Sequence, residues 1–487
     1  MAEISHFAVI VLVVTAGFAL AVLSTKLTER VPVPVPAILL VASAVASDLW
    51  PRLNSLPIRT VERVAVVALV VILFNGGLDI GWRRFRASAA SIVSIGLAGT
   101  FATAGLVAVL AHYALGFSWM LSGLVGAAIA PTDPAVMFSV LGRREIAGRS
   151  GTILEGEAGV NDPAGIALMV GMIDLATHPN ASFLVVVEEL AIELTVGIAF
   201  GLLGARLLVP ALRNLRLPSE GLYPVLALGL AGALYAVTSL GHGSGFLAVF
   251  IAGILLGDER LPYKGEIERF SSALASLAEL VVFVALGLTV RLSSISGRMW
   301  LDGVVLAVGM AVVARPLVVV ATLGRARLTR SERAFIAWSG LKGAVPILLA
   351  AFAVLEGVHQ ASVVYGVVFV VVLVSVAGQG TLVPYVAGRL GIRMRERPAL
   401  PWELSIRLRE EPHPAHELVV RSGSRADGRA IRDLPLGEHA WITLVVRQGA
   451  ATRPSGSLEL RSGDRVHLLA DPAEIDALTK LFSARSG

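Results

Sequence analysis

The sequence contains no cysteine. Disulfides, Cys-ligated metals and thiol nucleophiles are therefore excluded. Charge is also scarce. Asp, Glu, Lys and Arg make up 16% of the 487 residues, and aromatic residues 6%. A soluble globular chain carries about 25% charged residues, so water is not the main solvent of this surface. The start of the chain lacks the basic n-region of a secretory signal: Glu3 precedes the first apolar run, and Lys26 and Arg30 follow it. What fills the sequence instead is apolar. AVILMFWYC residues account for 55% and glycine for 49 positions, with a mean hydropathy of +0.76.

The apolar mass runs almost continuously to residue 391, and then the composition changes. Residues 392–487 are rich in Arg, Glu, Asp and Ser and hold no run long enough to span a bilayer. This predicts a membrane domain over 1–391, a linker over 392–403 and a small domain over 404–487. Size alone suggests about three domains, but the continuity of the apolar part argues for two. The pI of 9.8 invites a nucleic-acid reading. Topology accounts for it better, because the basic residues favour one set of loops, so lipid is the expected partner and nucleic acid is not.

Spans of about 17–25 apolar residues are expected near 6–25, 33–50, 61–80, 88–115, 119–141, 154–177, 183–211, 221–241, 244–257, 270–290, 300–323, 331–356 and 361–388. Basic connections such as Arg83/Arg84/Arg86, Arg213/Arg216 and Arg325/Arg327/Arg330/Arg333 alternate with connections that carry no Lys or Arg. Arg52/Arg59 and Arg291/Arg298 are exceptions. The positive-inside rule then puts the N-terminus outside and the C-terminal domain in the cytoplasm, in an inner (plasma) membrane. An odd count of roughly 13 spans agrees.

Ionisable side chains interrupt this pattern in one place above all. Residues 130–165 carry A-P-T-D-P-A-V and then L-E-G-E-A-G-V-N-D-P-A-G. Thr132, Asp133, Glu157, Asn161 and Asp162 thus lie at bilayer depth, where each charge costs about 2.5–3.5 kcal/mol or more. Pro131 and Pro134 should break the helix around Asp133. G-L-K-G-A-V-P, residues 340–346, offers a second interruption with Gly340, Gly343 and Pro346. Two interrupted helices in corresponding places of two inverted halves mark the binding site of a transporter. The expected architecture is an all-α polytopic membrane domain, an inverted repeat with two broken crossing helices, followed by a small α+β cytoplasmic domain.

Spacing sharpens the chemistry. Glu157 and Asn161 share one helix face; Asp162 sits on the next. One acid can therefore meet a partner cation while the other faces a cavity. Arg315, mid-span in A-V-V-A-R-P, is the candidate partner of Glu157. Lys342 has two readings: a second partner, or an ammonium that snorkels or binds carbonyls at its helix break. Asp133 is either a site residue or a cap on the break. Asp162, without a cationic partner, can hold a proton or a small cation. Glu155, Glu188, Glu189, Glu193 and Glu279 cluster less well and read as interfacial or packing residues.

P-T-D-P followed by L-E-G-E-x-x-x-N-D-P resembles the NhaP-type monovalent cation/proton antiporters. S-G-F-L-A-V-F-I-A-G-I-L-L-G at 244–257, A-R-P at 314–316 and G-L-K-G-A-V-P-I at 340–347 extend the resemblance over about residues 5–391. It implies thirteen helices in an inverted repeat, usually a homodimer, with no enzymatic activity and no cofactor. It also implies that Asp162 binds the cation and the proton, that Thr132 and Asp133 line the site, and that Glu157 and Asn161 form a polar network with Arg315. Asn161 before the critical acid matches electroneutral members, hence one proton per cation. Two positions depart from the family. F-N-G-G places Asn75 where an acid is common, and Ala158 stands where Ser is common. Both bear on the choice among Na⁺, K⁺ and Li⁺, with Asn75 offering a neutral carbonyl oxygen.

In the tail, residues 416–423, 440–449 and 465–471 read as strands and 472–482 as an amphipathic helix. The pattern resembles the TrkA-C or RCK-C regulatory domain of potassium-transport regulators. That resemblance implies dimerisation and a small ligand, sometimes a nucleotide. No G-x-G-x-x-G phosphate loop is visible in the tail, so a dinucleotide fold is not implied. Two other function classes fit parts of the pattern. Two buried acids could form an intramembrane aspartyl protease dyad, although both lie at proline-broken helices among other polar groups. A membrane sensor that signals through its tail is the third. Ion flux against peptide cleavage discriminates them.

Overall fold

The computed structural model describes residues 33–50, 57–141, 144–146, 148–178, 183–396, 415–436, 440–447, 450–470 and 475–483. The expected span at 6–25 and most of the expected linker lie outside them. The chain divides into two compact units, with the boundary between Glu396 and Arg397.

The large unit is helical. Its helices are α1 (Val35–Leu49), α2 (Ile58–Val93), α3 (Gly99–Leu115), α4 (Trp119–Ile129), α5 (Pro134–Leu141), α6 (Arg149–Thr177), α7 (Phe183–Asn214), α8 (Leu222–Leu240), α9 (Gly245–Gly257), α10 (Lys264–Leu288), α11 (Gly297–Gly309), α12 (Arg315–Leu323), α13 (Arg330–Trp338), α14 (Ala344–Leu355), α15 (Ala361–Leu373) and α16 (Val383–Arg389). Among the described residues, six helical stretches are long and apolar enough to cross a membrane, and four shorter apolar helices of 10–17 residues accompany them. One of the six, Ile58–Leu115, is 58 residues long. At 1.5 Å per residue it would be about 87 Å, nearly three bilayer cores. It turns at Gly81, where φ is +66°, a value that a side chain would make costly. Exposed Leu207, Val225, Leu240, Val312 and Val320 lie along the outer faces of the helices, where lipid satisfies them.

Both expected helix breaks are present. α4 ends at Ile129 and α5 begins at Pro134. α13 ends at Trp338 and α14 begins at Ala344. Side chains fix several starts: Ser118 caps α4, Ser244 caps α9 and Thr329 forms a capping box with Glu332 on α13. The helices pack in two groups. α9 and α10 lie against α2, with α1, α7 and α8 around them; α3 and α4 form the other group with α11, α14 and α15, and α6 packs against both, on α2 and α7 and on α4. Among the described residues, three π-helical runs occur, at Ser94–Ala98, Met310–Ala314 and Val374–Gln379. Such runs frequently mark functional sites. The basic loop between α5 and α6 holds a feature that the sequence does not announce: strand β1 (Arg144–Ile146) pairs antiparallel with β2 (Met394–Glu396).

The small unit is an antiparallel sheet of β3 (Ala415–Val419), β4 (Ala440–Arg447), β5 (Ala450–Thr452) and β6 (Arg465–Ala470), in the order β3-β6-β4-β5. Helix α17 (Ile475–Phe482) supplies Leu478, Leu481 and Phe482 to a core with Val420, Val445, Val466 and Leu468. Asp464 is buried and takes a bidentate pair from Arg447, Nε–Oδ1 2.9 Å and Nη2–Oδ2 2.7 Å. That guanidinium holds the Asp464 carboxyl below the usual carboxylate range, with help from the Arg461 backbone N–H.

Candidate ion-binding site

The two helix breaks meet. The Asp133 amide donates to the Leu341 carbonyl at 2.8 Å. Lys342 reaches across: its Nζ donates to the carbonyls of Ala130 at 2.8 Å and Pro131 at 2.9 Å. These are carbonyls of the facing break, not of its own. An interrupted helix bares such carbonyls at its C-terminal end, where the macrodipole also favours a cation. Lys342 is 1% exposed, so the ammonium serves the carbonyls that no water reaches. Glycine permits this approach. The Asp133 carboxyl occupies the place where a Cβ on Gly343 would be, and a Cβ on Gly340 would collide with the Arg315 guanidinium.

Arg315 and Glu157 form the expected pair, and the pair is bidentate. Nη1 donates to Oε1 and Nη2 to Oε2, both at 2.6 Å. Both residues are buried. Arg315 follows the π-helical run Met310–Ala314 and precedes Pro316, which has no N–H to give to the ladder. The Thr132 hydroxyl donates to Glu157 Oε1 at 3.2 Å and accepts from Asn161 Nδ2 at 2.7 Å. Glu157, Thr132, Asn161 and Arg315 are therefore one hydrogen-bonded network on one face of α6. The network uses the Thr132 hydroxyl twice, which leaves it one lone pair for any further ligand.

Asp162 lies off this network. It is 5% exposed, and its Oδ1 has no hydrogen-bond partner. Asp133 and Lys342 lie within its electrostatic range. Asn75 is on α2, its Nδ2 donating to Asp79 Oδ2 at 3.0 Å, and its Oδ1 is buried without a partner. Beside Asp162 on α6, the Asn161 Oδ1 is likewise buried without a partner. Oxygen donors of this kind suit an alkali cation or, on the carboxyl, a proton.

Two contributors escape the sequence reading. Ser375, on the π-helical run Val374–Gln379, accepts from the Lys342 backbone amide at 3.0 Å, and Gln379 donates to the Trp338 carbonyl at 2.5 Å. They hold the second break in place, and only long-range contact reveals them. Glu279 on α10 has a buried Oε1 with no partner and lies within electrostatic range of Asp133. The sequence reads Glu279 as an interfacial or packing residue, an acid alone in its span.

Residues 9–388 match the family model described as sodium/hydrogen exchanger, transmembrane, and residues 415–483 match the TrkA-C domain. The chain is 31% identical to the K(+)/H(+) antiporter NhaP2 of Shewanella sp. (strain MR-4) over 473 residues, covering 96% of this chain and 82% of that one. It is 30% identical to the K(+)/H(+) antiporter NhaP of Alkalimonas amylolytica over 487 residues, 98% and 84% of the two chains. The sodium proton antiporter MjNhaP1 from Methanocaldococcus jannaschii, solved at pH 8, superposes with a TM-score of 0.68 at 23% identity, covering 79% of this chain and 99% of that one.

Proposed function

The chain belongs to the transmembrane sodium/hydrogen exchanger family, and on that footing we propose that it exchanges a monovalent cation, K⁺ or Na⁺, for H⁺ across the plasma membrane by secondary active transport. The observation that carries this reading is the Asp162 carboxyl, buried with Oδ1 unbonded, while Glu157 is paired. An uncompensated carboxylate at this depth is costly. Either a proton or a cation relieves the cost, and each neutralises the charge that would attract the other. The two therefore compete for Asp162, and alternating exposure of that residue to the two sides gives exchange. Asp133, Thr132 and Asn75 complete the oxygen set. Glu157, Asn161, Arg315 and Lys342 hold it. Asn161 is engaged with Thr132 and carries no charge, which supports one proton per cation. The relatives bear K(+)/H(+) names, so K⁺ is the cation to test first.

The same reading takes the membrane domain as a thirteen-helix inverted repeat and a homodimer, with its N-terminus outside and its tail in the cytoplasm. Purified full-length protein in proteoliposomes with a trapped pH dye tests it. Addition of K⁺ or Na⁺ is expected to move protons without building a membrane potential. Proton movement with no alkali cation would overturn antiport, and exchange driven by an imposed potential would overturn the one-to-one ratio.

The division of labour between the domains is a separate expectation. Every residue assigned to the site precedes Ile392. Truncation after Arg397 should therefore leave exchange measurable and change its rate or pH dependence, because a tail ligand acts only through a difference in affinity between two states. A truncated protein that is folded and inserted but exchanges nothing would show that the tail is part of the transport machinery.

A further inference from the structure

Arg298 is one of the exceptions to the alternation of basic and base-free connections, so topology does not account for it. It lies in the first turn of α11, and its Nη2 donates to the Leu115 carbonyl at the C-terminal end of α3 at 3.3 Å. Most of its five N–H donors are left for other acceptors. Four residues on, Asp302 is 5% exposed. Among the described residues its carboxylate meets one cation, Arg298, whose Nε lies 3.9 Å from Oδ2. That is beyond hydrogen-bond range. A carboxylate so far withdrawn from water, without a hydrogen bond among the described residues, has accepting capacity left over.

Both side chains line a cleft of about 500 Å³ between α3 and α11, with Ala114 and Leu115 on one wall and Leu301 and Val305 on the other. Arg298, Leu301, Asp302 and Val305 follow the spacing of one helix face. The deep end is closed. A Cβ on Gly309, one turn beyond Val305, would collide with Leu110, one turn before Ala114. The cleft therefore widens toward the ends of the two helices. Exposed Leu301 forms its rim, and Val308 and Val312, also exposed, continue that line down α11. Beside the cleft, Trp119 stacks on His112 with ring centroids 4.0 Å apart and meets Tyr113 edge-on. Trp and Tyr mark the headgroup level of a membrane protein. Arg298 and Asp302 thus sit where headgroups lie, and the apolar line below them sits where acyl chains lie.

We propose that this cleft binds the headgroup of a phospholipid with a primary ammonium, of the phosphatidylethanolamine type: Asp302 accepts from the ammonium, Arg298 donates to the phosphodiester, and an acyl chain runs along Leu301, Val308 and Val312. The charges of the two side chains match those of the headgroup in sign and in number. A choline headgroup has no N–H to give to Asp302. A glycerol headgroup brings a negative charge and no cation to offset the buried carboxylate. A lone metal cation would leave Arg298 unused and would be repelled by it. Guanidinium and phosphate make charge-assisted bonds, as do ammonium and carboxylate, and such bonds are about twice as strong as neutral ones.

The test is native mass spectrometry of the full chain in detergent, titrated with dioleoyl phosphatidylethanolamine, phosphatidylcholine and phosphatidylglycerol. Each variant is first checked for folding by size exclusion and thermal unfolding. The unaltered chain should bind the ethanolamine lipid in preference to the other two. Asp302→Asn should lower that affinity roughly tenfold, the range one hydrogen bond to a charged group commands, and leave the choline lipid at its former level. Arg298→Gln should also weaken the ethanolamine lipid. Equal binding of the three lipids by the unaltered chain, or a preference for phosphatidylglycerol, would overturn the proposal. So would an ethanolamine preference that survives in folded Asp302→Asn. If Asp302→Asn does not fold, Leu301→Trp decides, since it fills the cleft from an exposed position; an unchanged ethanolamine preference there overturns the proposal. Phosphoethanolamine, the headgroup without chains, should bind far more weakly than the lipid, and binding as tight as the lipid's would overturn the membrane source of the ligand.

Discussion

Asp162→Asn should abolish exchange and leave the protein folded and inserted. The substitution is nearly isosteric and removes only the ability to ionise. Asp162 Oδ1 makes no hydrogen bond in the protein, so no structural partner is stranded by the change. The Asn side chain is neutral at all relevant pH values, and the crossing loses the charge that a proton or cation would neutralise. Proteoliposomes containing the variant should match empty vesicles in cation-dependent proton flux, while size exclusion and thermal unfolding match the unaltered protein. Asp162→Glu keeps the carboxyl one methylene further out and should retain partial exchange. Robust cation-dependent flux in Asp162→Asn would mean that another group, Glu279 being the first to examine, carries the proton.

Arg315→Ala should be the most damaging substitution for the fold. The guanidinium satisfies both oxygens of Glu157 at 2.6 Å, and Glu157 is 1% exposed. Removing one partner of a buried pair strands the other, at a cost of about 3–5 kcal/mol. Truncation to Ala also empties the space against Gly340, which adds a cavity. The yield of folded protein and its unfolding temperature should both fall. Combining Arg315→Ala with Glu157→Gln should recover part of the loss, because a neutral amide in place of the carboxylate can still accept from Thr132 without burying an unpaired charge. If the double variant is no more stable than Arg315→Ala alone, the pair does not carry the stability assigned to it.

Much of this site is legible in the sequence because its strongest rules are local. Pro131 and Pro134 cannot continue a helix, and the break falls between Ile129 and Pro134. Gly340, Gly343 and Pro346 announce the second break in the same way. The turn between Glu157 and Asn161 puts both on the face that meets Thr132, and Asp162 falls off it. Glu157 and Arg315 could be matched across 158 positions because a buried charge needs a partner and few candidates exist. What stayed hidden is non-local or backbone-borne. Nothing near Lys342 says that its ammonium will reach the carbonyls of Ala130 and Pro131 rather than those of its own break. The π-helical runs that present Arg315 and Ser375 have no clear residue code. In the tail, the two longer strands at 440–447 and 465–470 and helix α17 follow from alternation and amphipathicity, whereas β5 is only three residues long and too short to show a period.

The ladder between β1 and β2 makes the order of the chain a poor guide to the order of force. Residue 396 follows α16 in sequence, yet its strand is hydrogen-bonded in register to Arg144–Ile146, just ahead of the first turn of α6. A load on the chain leaving Glu396 is therefore delivered first to the loop that joins α5 to α6, and through Gly148 to the helix that carries Glu157, Asn161 and Asp162. The last helix, α16, shares that load through the short stretch of backbone that joins it to β2. Mechanically, β2 is a handle fastened close to α6, and a displacement of that strand needs no long relay through packed side chains to reach the helix with the unbonded carboxyl.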